Sequence, residues 1–196
     1  METYSWRRLT RSTGLAALLL LSGAGVETHA NALYGFAPSI YVSKIKSPAP
    51  AFKRGKIVTF ESSYKPGTVV VHSQANALFL ILDGNNAVQY RVATAKKGFE
   101  WTGQHRVSAK LTWPDWRPPE EMRKRKPELP DFMSGGPENP LGARALYLGS
   151  SIYRIHGTNE PTSIGKAASS GCIRMLNSDV SELFLHVKLG ALVVVM

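Results

Sequence analysis

Between residues 68 and 93 the chain alternates short apolar runs with turn residues, and this pattern limits the fold more than any other feature. Thr68 to His72, Ala77 to Leu82 and Val88 to Ala93 are three such runs. Asn76 breaks the first gap, and Asp83-Gly84-Asn85-Asn86 fills the second. In the third run Val88, Tyr90 and Val92 alternate with Gln89 and Arg91, the two-residue period of a half-buried strand. Short runs joined by such turns predict an antiparallel meander. No helical period of any length occurs here. With 196 residues, 43% of them hydrophobic and 19% charged, the chain has one ordinary domain's length and material for a core. A disulfide-stapled miniprotein, a repeat solenoid and a multi-span membrane protein are excluded.

The flanks read differently. Residues 33–66 carry Pro38, Pro48, Pro50 and Pro66 with Lys44, Lys46, Lys53, Arg54 and Lys56 between them, which reads as a basic, solvated lead-in with a short strand at Ile57 to Phe60. Residues 94–142 are rich in Gly, Pro and Trp, and Trp113-Pro114-Asp115-Trp116-Arg117-Pro118-Pro119 suits neither a helix nor a central strand. A short charged helix is expected over Glu120 to Lys126. Long irregular loops in a compact domain serve as lids or binding loops, and Trp101, Trp113 and Trp116 suit that role as well as covering a core edge. Ala145 to Leu148 and Ser151 to His156 are strand-like. Ser178 to Leu189 is the one clear helix, with Val180, Leu183, Phe184 and Val187 forming one apolar stripe. Ser178 or Asp179 is the expected cap and Gly190 the expected end. Leu192 to Met196 is a final, central strand.

Arg7, Arg8 and Arg11, an apolar run from Gly14 to Val26 and Ala30-Asn31-Ala32 have the order of a secretory signal peptide over residues 1–32. The alternative is an uncleaved N-terminal anchor. Cleavage takes away Arg7, Arg8, Arg11, Glu2 and Glu27, so the +10 of the whole chain falls only to +9. The exported protein itself is therefore basic and suits an acidic polymer. Outside the cytoplasm that polymer is the cell wall or an anionic lipid surface rather than nucleic acid. With Cys172 as the single cysteine, no intramolecular disulfide and no cysteine-based zinc cluster can form.

One stretch carries a specific reactive arrangement: His156-Gly157-Thr158-Asn159, then Ser169-Ser170-Gly171-Cys172-Ile173-Arg174. A cysteine nucleophile needs a base or cation beside its sulfur, and histidine is the usual one. The intervening loop of small residues can fold back to bring the two together. Gly171 permits a tight turn and frees backbone N–H groups for a developing oxyanion. Arg174 shares a strand face with Cys172, where it could hold a carboxylate or favour the thiolate. Taken singly, an isolated cysteine is more often a small buried hydrophobe, and an isolated histidine structural.

The segment IHGTNEPTSIGKAASSGCIRM resembles the catalytic signature of the L,D-transpeptidases of the YkuD type: HGT, a variable loop, then Ser, a variable residue, Gly-Cys, Ile or Val, and Arg. The resemblance runs back through residues 136–142 and 145–148 to about Gly67 and forward to the last strand. Many members carry histidine before the Gly-Cys pair, where this chain has Ser170, so no second histidine tunes the sulfur here. The resemblance implies a mainly β catalytic domain over 67–196. Its fold would be a β-sandwich with a mixed sheet, a packed C-terminal helix and a groove under a Trp/Pro-rich lid. It implies an exported enzyme of the periplasm or cell wall that needs no cofactor and no metal, touching membrane only through an uncleaved leader.

The implied reaction is acyl transfer on peptidoglycan stem peptides. Cys172 is the nucleophile and His156 the base. The D-alanine of a tetrapeptide leaves, and the thioester passes to a stem amine, an outer-membrane lipoprotein lysine or a free D-amino acid. Gly157, Ser169 and Ser170 are candidates to orient the imidazole, and Gly171 with Cys172 to hold the oxyanion. Arg174, Thr158 and Asn159 are candidates to contact substrate. A hydrolytic thiol amidase or carboxypeptidase using the same site, and a non-catalytic wall-binding protein, are the competing readings. His72, His105 and His186 receive no role.

Overall fold

The computed structural model describes residues 51–149 and 151–196. The expected leader (1–32) and residues 33–50 of the lead-in lie outside the described residues. Strands β1 (Lys56–Thr59), β2 (Val69–His72), β3 (Ala77–Ile81) and β4 (Asn86–Arg91) come first, followed by the two-residue β5 (Thr94–Ala95). The long β6 (Gly103–Thr112) precedes α1 (Glu120–Arg125), β7 (Arg144–Leu148) and β8 (Arg154–His156). Then come β9 (Ala167–Ser169), β10 (Ile173–Arg174), α2 (Asn177–His186) and β11 (Leu192–Val195).

Among the described residues nine strands form one mixed sheet in the order β1-β4-β3-β2-β11-β6-β7-β8-β10, and β5 pairs with β9. The expected meander is β2–β3–β4, antiparallel throughout. The last strand enters parallel to β2, as a buried apolar strand does. The sheet turns its corner on β6. Residues Gly103 to Arg106 pair with β11, residues Val107 to Thr112 pair with β7, and the register slips between Val107 and Ala109. A bulge of this kind lets one strand serve two packed halves of a sandwich.

The principal core lies between those halves and α2. Val69, Val71, Leu78, Leu80 and Val88 come from the meander, Val193 and Val195 from β11, and Leu146, Leu148 and Ile155 from β7 and β8. Val180, Leu183 and Val187 of the predicted apolar stripe close it. A second cluster on the opposite face of the meander joins Val70, Ile81 and Ala87 to Val58, Phe60, Tyr64 and Phe79.

Several expectations change here. Residues 51–66 are docked rather than solvated. β1 pairs with β4, and Phe52 stacks on His186 with ring centroids 3.9 Å apart. The Glu182 carboxylate accepts the N–H groups of Lys53, Arg54 and Gly55 at 2.5–3.2 Å and the Tyr90 hydroxyl at 2.9 Å. The 94–142 region holds the ten-residue β6, which the sequence hides because Val107 is its only buried residue. Helix α2 begins at Asn177 with no side-chain cap and ends at His186, short of Gly190. Lys110 Nζ reaches across from β6 and donates to the Phe184 and Val187 carbonyls at 2.5 and 2.6 Å, doing the work expected of a terminal glycine.

Candidate active site

The parallel pair β8–β10 places the reactive side chains. Ile155 faces Ile173 and His156 faces Arg174. Both isoleucines point into the core, at 0% and 2% exposure. Strand alternation therefore turns Arg154 and His156, with Cys172 and Arg174, to the opposite face. The same register sets Arg154 opposite Cys172 and leaves Cys172 and His156 as diagonal neighbours. Diagonal neighbours on one face of a sheet stand about 7–8 Å apart at Cα. All four line one cavity of about 450 Å³.

The turn that carries Cys172 is held from both sides. Ser169 Oγ donates to the Cys172 carbonyl at 2.5 Å and accepts the Gly171 N–H at 3.1 Å. That serine shapes the turn instead of touching the imidazole, and it occupies the Gly171 N–H expected to face an oxyanion. The Cys172 N–H makes no hydrogen bond among the described residues. Gly171 has φ +111°, and a Cβ there would lie 2.6 Å from the Tyr153 ring, so no other residue fits without movement. Tyr153 is stacked on Trp101 at 4.2 Å, and Trp101 Nε1 donates to the Gly171 carbonyl at 2.7 Å. Trp101 thus buttresses the turn that carries Cys172.

His156 is buried, with its Nδ1–H directed at the Gly157 carbonyl at 2.6 Å. That bond fixes the tautomer and leaves Nε2 as the proton acceptor. The loop after it is pinned by Asn177, whose Oδ1 accepts the N–H groups of Ala143 (2.9 Å) and Thr158 (3.1 Å). Gly157 is required at this close approach, because a Cβ would sit 2.1 Å from that oxygen. Thr158 is buried, and its hydroxyl accepts the Glu160 N–H at 2.9 Å, so it shapes the loop and does not line the cavity. Asn159 and Ser170 line the cavity, although Asn159 Nδ2 is committed to the Glu138 carbonyl at 2.8 Å. Arg174 lines it as well and is paired with Glu160 at 2.7 Å.

Burial dominates the electrostatics. It pushes His156 down to about 3, helped by Arg174 and Arg154 and opposed by the Gly157 and Leu141 carbonyls. Burial likewise pushes the Cys172 thiol up, against the backbone N–H and guanidinium of Arg154 and the charge of Arg174. The resting pair is thus a neutral thiol and a neutral imidazole. Cys172 Sγ lies 3.9 Å from the Ile152 carbonyl oxygen, toward which its S–H is directed. The geometry can support general-base activation, in which the imidazole takes the thiol proton and the thiolate so formed attacks.

The Trp/Pro-rich segment contributes Trp116, Met122, Leu129 and Met133 to the lining of the same cavity. Trp116 and Met133 are bridged backbone to backbone, and Asn139 ties the segment's base by donating to the Pro114, Met133 and Ser134 carbonyls. Neither Asn139 nor Asn177 nor Arg154 stood out in the sequence. Each is an unremarkable polar residue until its distant partners are known.

Residues 66–195 match the family model described as the L,D-transpeptidase catalytic domain, YkuD. ErfK/SrfK of Escherichia coli K12, described as a probable L,D-transpeptidase, is 34% identical over 64% of this chain and 42% of its own length. YqjB of Bacillus subtilis, which carries the same family name, is 37% identical over 65% of this chain and 69% of its own length. Against ErfK/SrfK, then, the match spans about two fifths of the relative. An L,D-transpeptidase from Mycobacterium smegmatis superposes with a TM-score of 0.53 at 17% identity, covering 66% of this chain and 58% of that one. The catalytic domain of the Enterococcus faecium L,D-transpeptidase gives 0.53 at 18% identity, covering 69% of this chain and all of that domain. At such identities these two structures establish the fold.

Proposed function

The chain belongs to the YkuD family of L,D-transpeptidases, and from that premise we propose that it transfers acyl groups on peptidoglycan tetrapeptide stems through Cys172 and His156. His156 Nε2 takes the thiol proton, and the thiolate attacks the carbonyl of the third stem residue. The Cys172 N–H faces the oxyanion that forms. The imidazolium then protonates the departing D-alanine amine, leaving a thioester. An amine attacks that thioester, His156 takes its proton, and the new amide leaves as sulfur regains the proton. Stem amines, a lipoprotein lysine and free D-amino acids are the candidate acceptors. The basic surface suits the stem carboxylates, and export across the cytoplasmic membrane follows from the leader-like N-terminus.

The observation that carries this reading is the shared cavity face of Cys172 and His156, with the imidazole's Nδ1–H tied to Gly157. A defined tetrapeptide muropeptide, incubated with competing amines and analysed by mass, tests it. D-alanine release with a new amide product is expected, and loss of both in Cys172→Ala. Water as the sole acceptor would make the protein a carboxypeptidase. No turnover and no carbapenem adduct on the folded chain would leave a wall-binding protein.

A further inference from the structure

We infer that Arg154 is a third catalytic residue, whose guanidinium donates a hydrogen bond to the Cys172 thiolate formed when His156 takes the thiol proton. The inference rests on the reading of Cys172 as nucleophile. Three observations carry it. Register sets Arg154 opposite Cys172 on the cavity face. Arg154 Nη1 and Cys172 Sγ then converge on one oxygen, the Ile152 carbonyl, at 3.2 and 3.9 Å. Finally, Arg154 Nε is buried and has no hydrogen-bond partner among the described residues.

A buried donor on a cation without an acceptor is costly, and such groups call for an explanation. Arg174 differs, because Glu160 offsets its charge at 2.7 Å. Arg154 has no carboxylate partner among the described residues, and its guanidinium rests 4.8 Å from the Tyr147 ring centroid. A neutral thiol is a weak acceptor, whereas a thiolate is a strong one. The arrangement therefore favours the charged sulfur over the resting one, which is the differential binding that catalysis needs. In the step itself the S–H bond breaks, the proton moves to His156 Nε2, and the electron pair left on sulfur accepts the Arg154 hydrogen bond. That bond is released as the pair forms the S–C bond.

Other charges face the same sulfur. His156 stands beside it on β8, and Arg174 with Glu160 on the β10 side. Tyr153, Lys96, Glu138, Arg125 and Lys126 line the remainder of the cavity. Only a direct comparison of Arg154 variants isolates its share.

The test is the pH dependence of Cys172 alkylation by iodoacetamide, followed by mass on the full chain. Cys172 is the sole cysteine, so the adduct is unambiguous. Arg154→Met is expected to raise the midpoint by at least about one pH unit, which is tenfold less thiolate at any pH below it. Should R154M not fold, the equally neutral Arg154→Gln takes its place. A variant profile that superimposes on that of the native chain overturns the inference, since a merely structural arginine would change stability and leave the midpoint alone. The native chain is also tested with tetrapeptide. Acyl transfer with unmoved variant profiles defeats Arg154 alone, and an Arg154-dependent midpoint without acyl transfer defeats the proposed reaction alone.

Discussion

Asn177 is the strongest single support of the histidine loop, and replacing it with alanine tests the whole arrangement. Its Oδ1 accepts two N–H groups, from the buried Ala143 and the buried Thr158. Asn177→Ala orphans both. An unsatisfied buried donor costs about 1–3 kcal/mol, and water entering the space left by the amide recovers part of that. The expected loss is therefore about 2–4 kcal/mol in urea unfolding. For a domain of this size each kcal/mol lowers Tm by about 2–4 °C. The second consequence is catalytic. Gly157 both accepts from His156 Nδ1 and packs against the same Asn177 oxygen, so a looser loop misplaces Nε2. A misplacement near 1 Å costs on the order of a hundredfold in rate. Carbapenem acylation of Cys172 in N177A should slow by at least tenfold under conditions where the variant remains folded. Retained stability would refute the bonding argument, and lost stability with unchanged acylation would refute the coupling of Asn177 to the imidazole.

Two further predictions concern acid and the N-terminal segment. His156 is depressed from 6.5 to about 3 in the folded chain, so the unfolded state binds its proton first as pH falls. Its contribution to stability is complete above pH 6.5 and is lost progressively below it; denaturation midpoints of His156→Gln measured between pH 6.5 and 5 should depend less on pH than those of the native chain, and equal slopes would contradict the buried neutral imidazole. Glu182→Gln exchanges a carboxylate for an amide where three N–H groups and the Tyr90 hydroxyl converge; a loss of about 1.5–3 kcal/mol is expected, with faster hydrogen exchange at Lys53, Arg54 and Gly55, and unchanged exchange there would refute the docking.

What could be read from the sequence was whatever rests on local pattern. The meander was visible because Val88, Tyr90 and Val92 alternate, and α2 because its apolar residues repeat every three to four positions. The motif residues were visible because reactive chemistry restricts residue type. Strand β6 was not, since its pairing with β11 and β7 depends on partners 32–92 positions away and its side chains are mostly polar. The clasps were equally hidden. Asn139 and Asn177 have the composition of ordinary turn residues, and only folding shows that each collects several backbone groups. The place of Arg154 was not legible either, because nothing local says which face of β8 would be enclosed.

On the proposed reading, the same electrostatics keep the lone Cys172 for chemistry without constant loss. Burial raises the Cys172 thiol, so little thiolate exists at rest, and oxidation proceeds through thiolate. Burial alone would also make the nucleophile too hard to form, because an isolated charge in an apolar site costs many kcal/mol. The cations beside the sulfur limit that cost, while the carbonyls of Gly157 and Leu141 do the same for the imidazolium. Proton transfer from sulfur to His156 thus creates an ion pair in which each partner already has its stabilising groups in place. A polar neighbour replacing either set would leave the fold intact and shift the balance. Substituting Glu160 by glutamine, for instance, frees the charge of Arg174 and should lower the pH at which His156 becomes protonated still further.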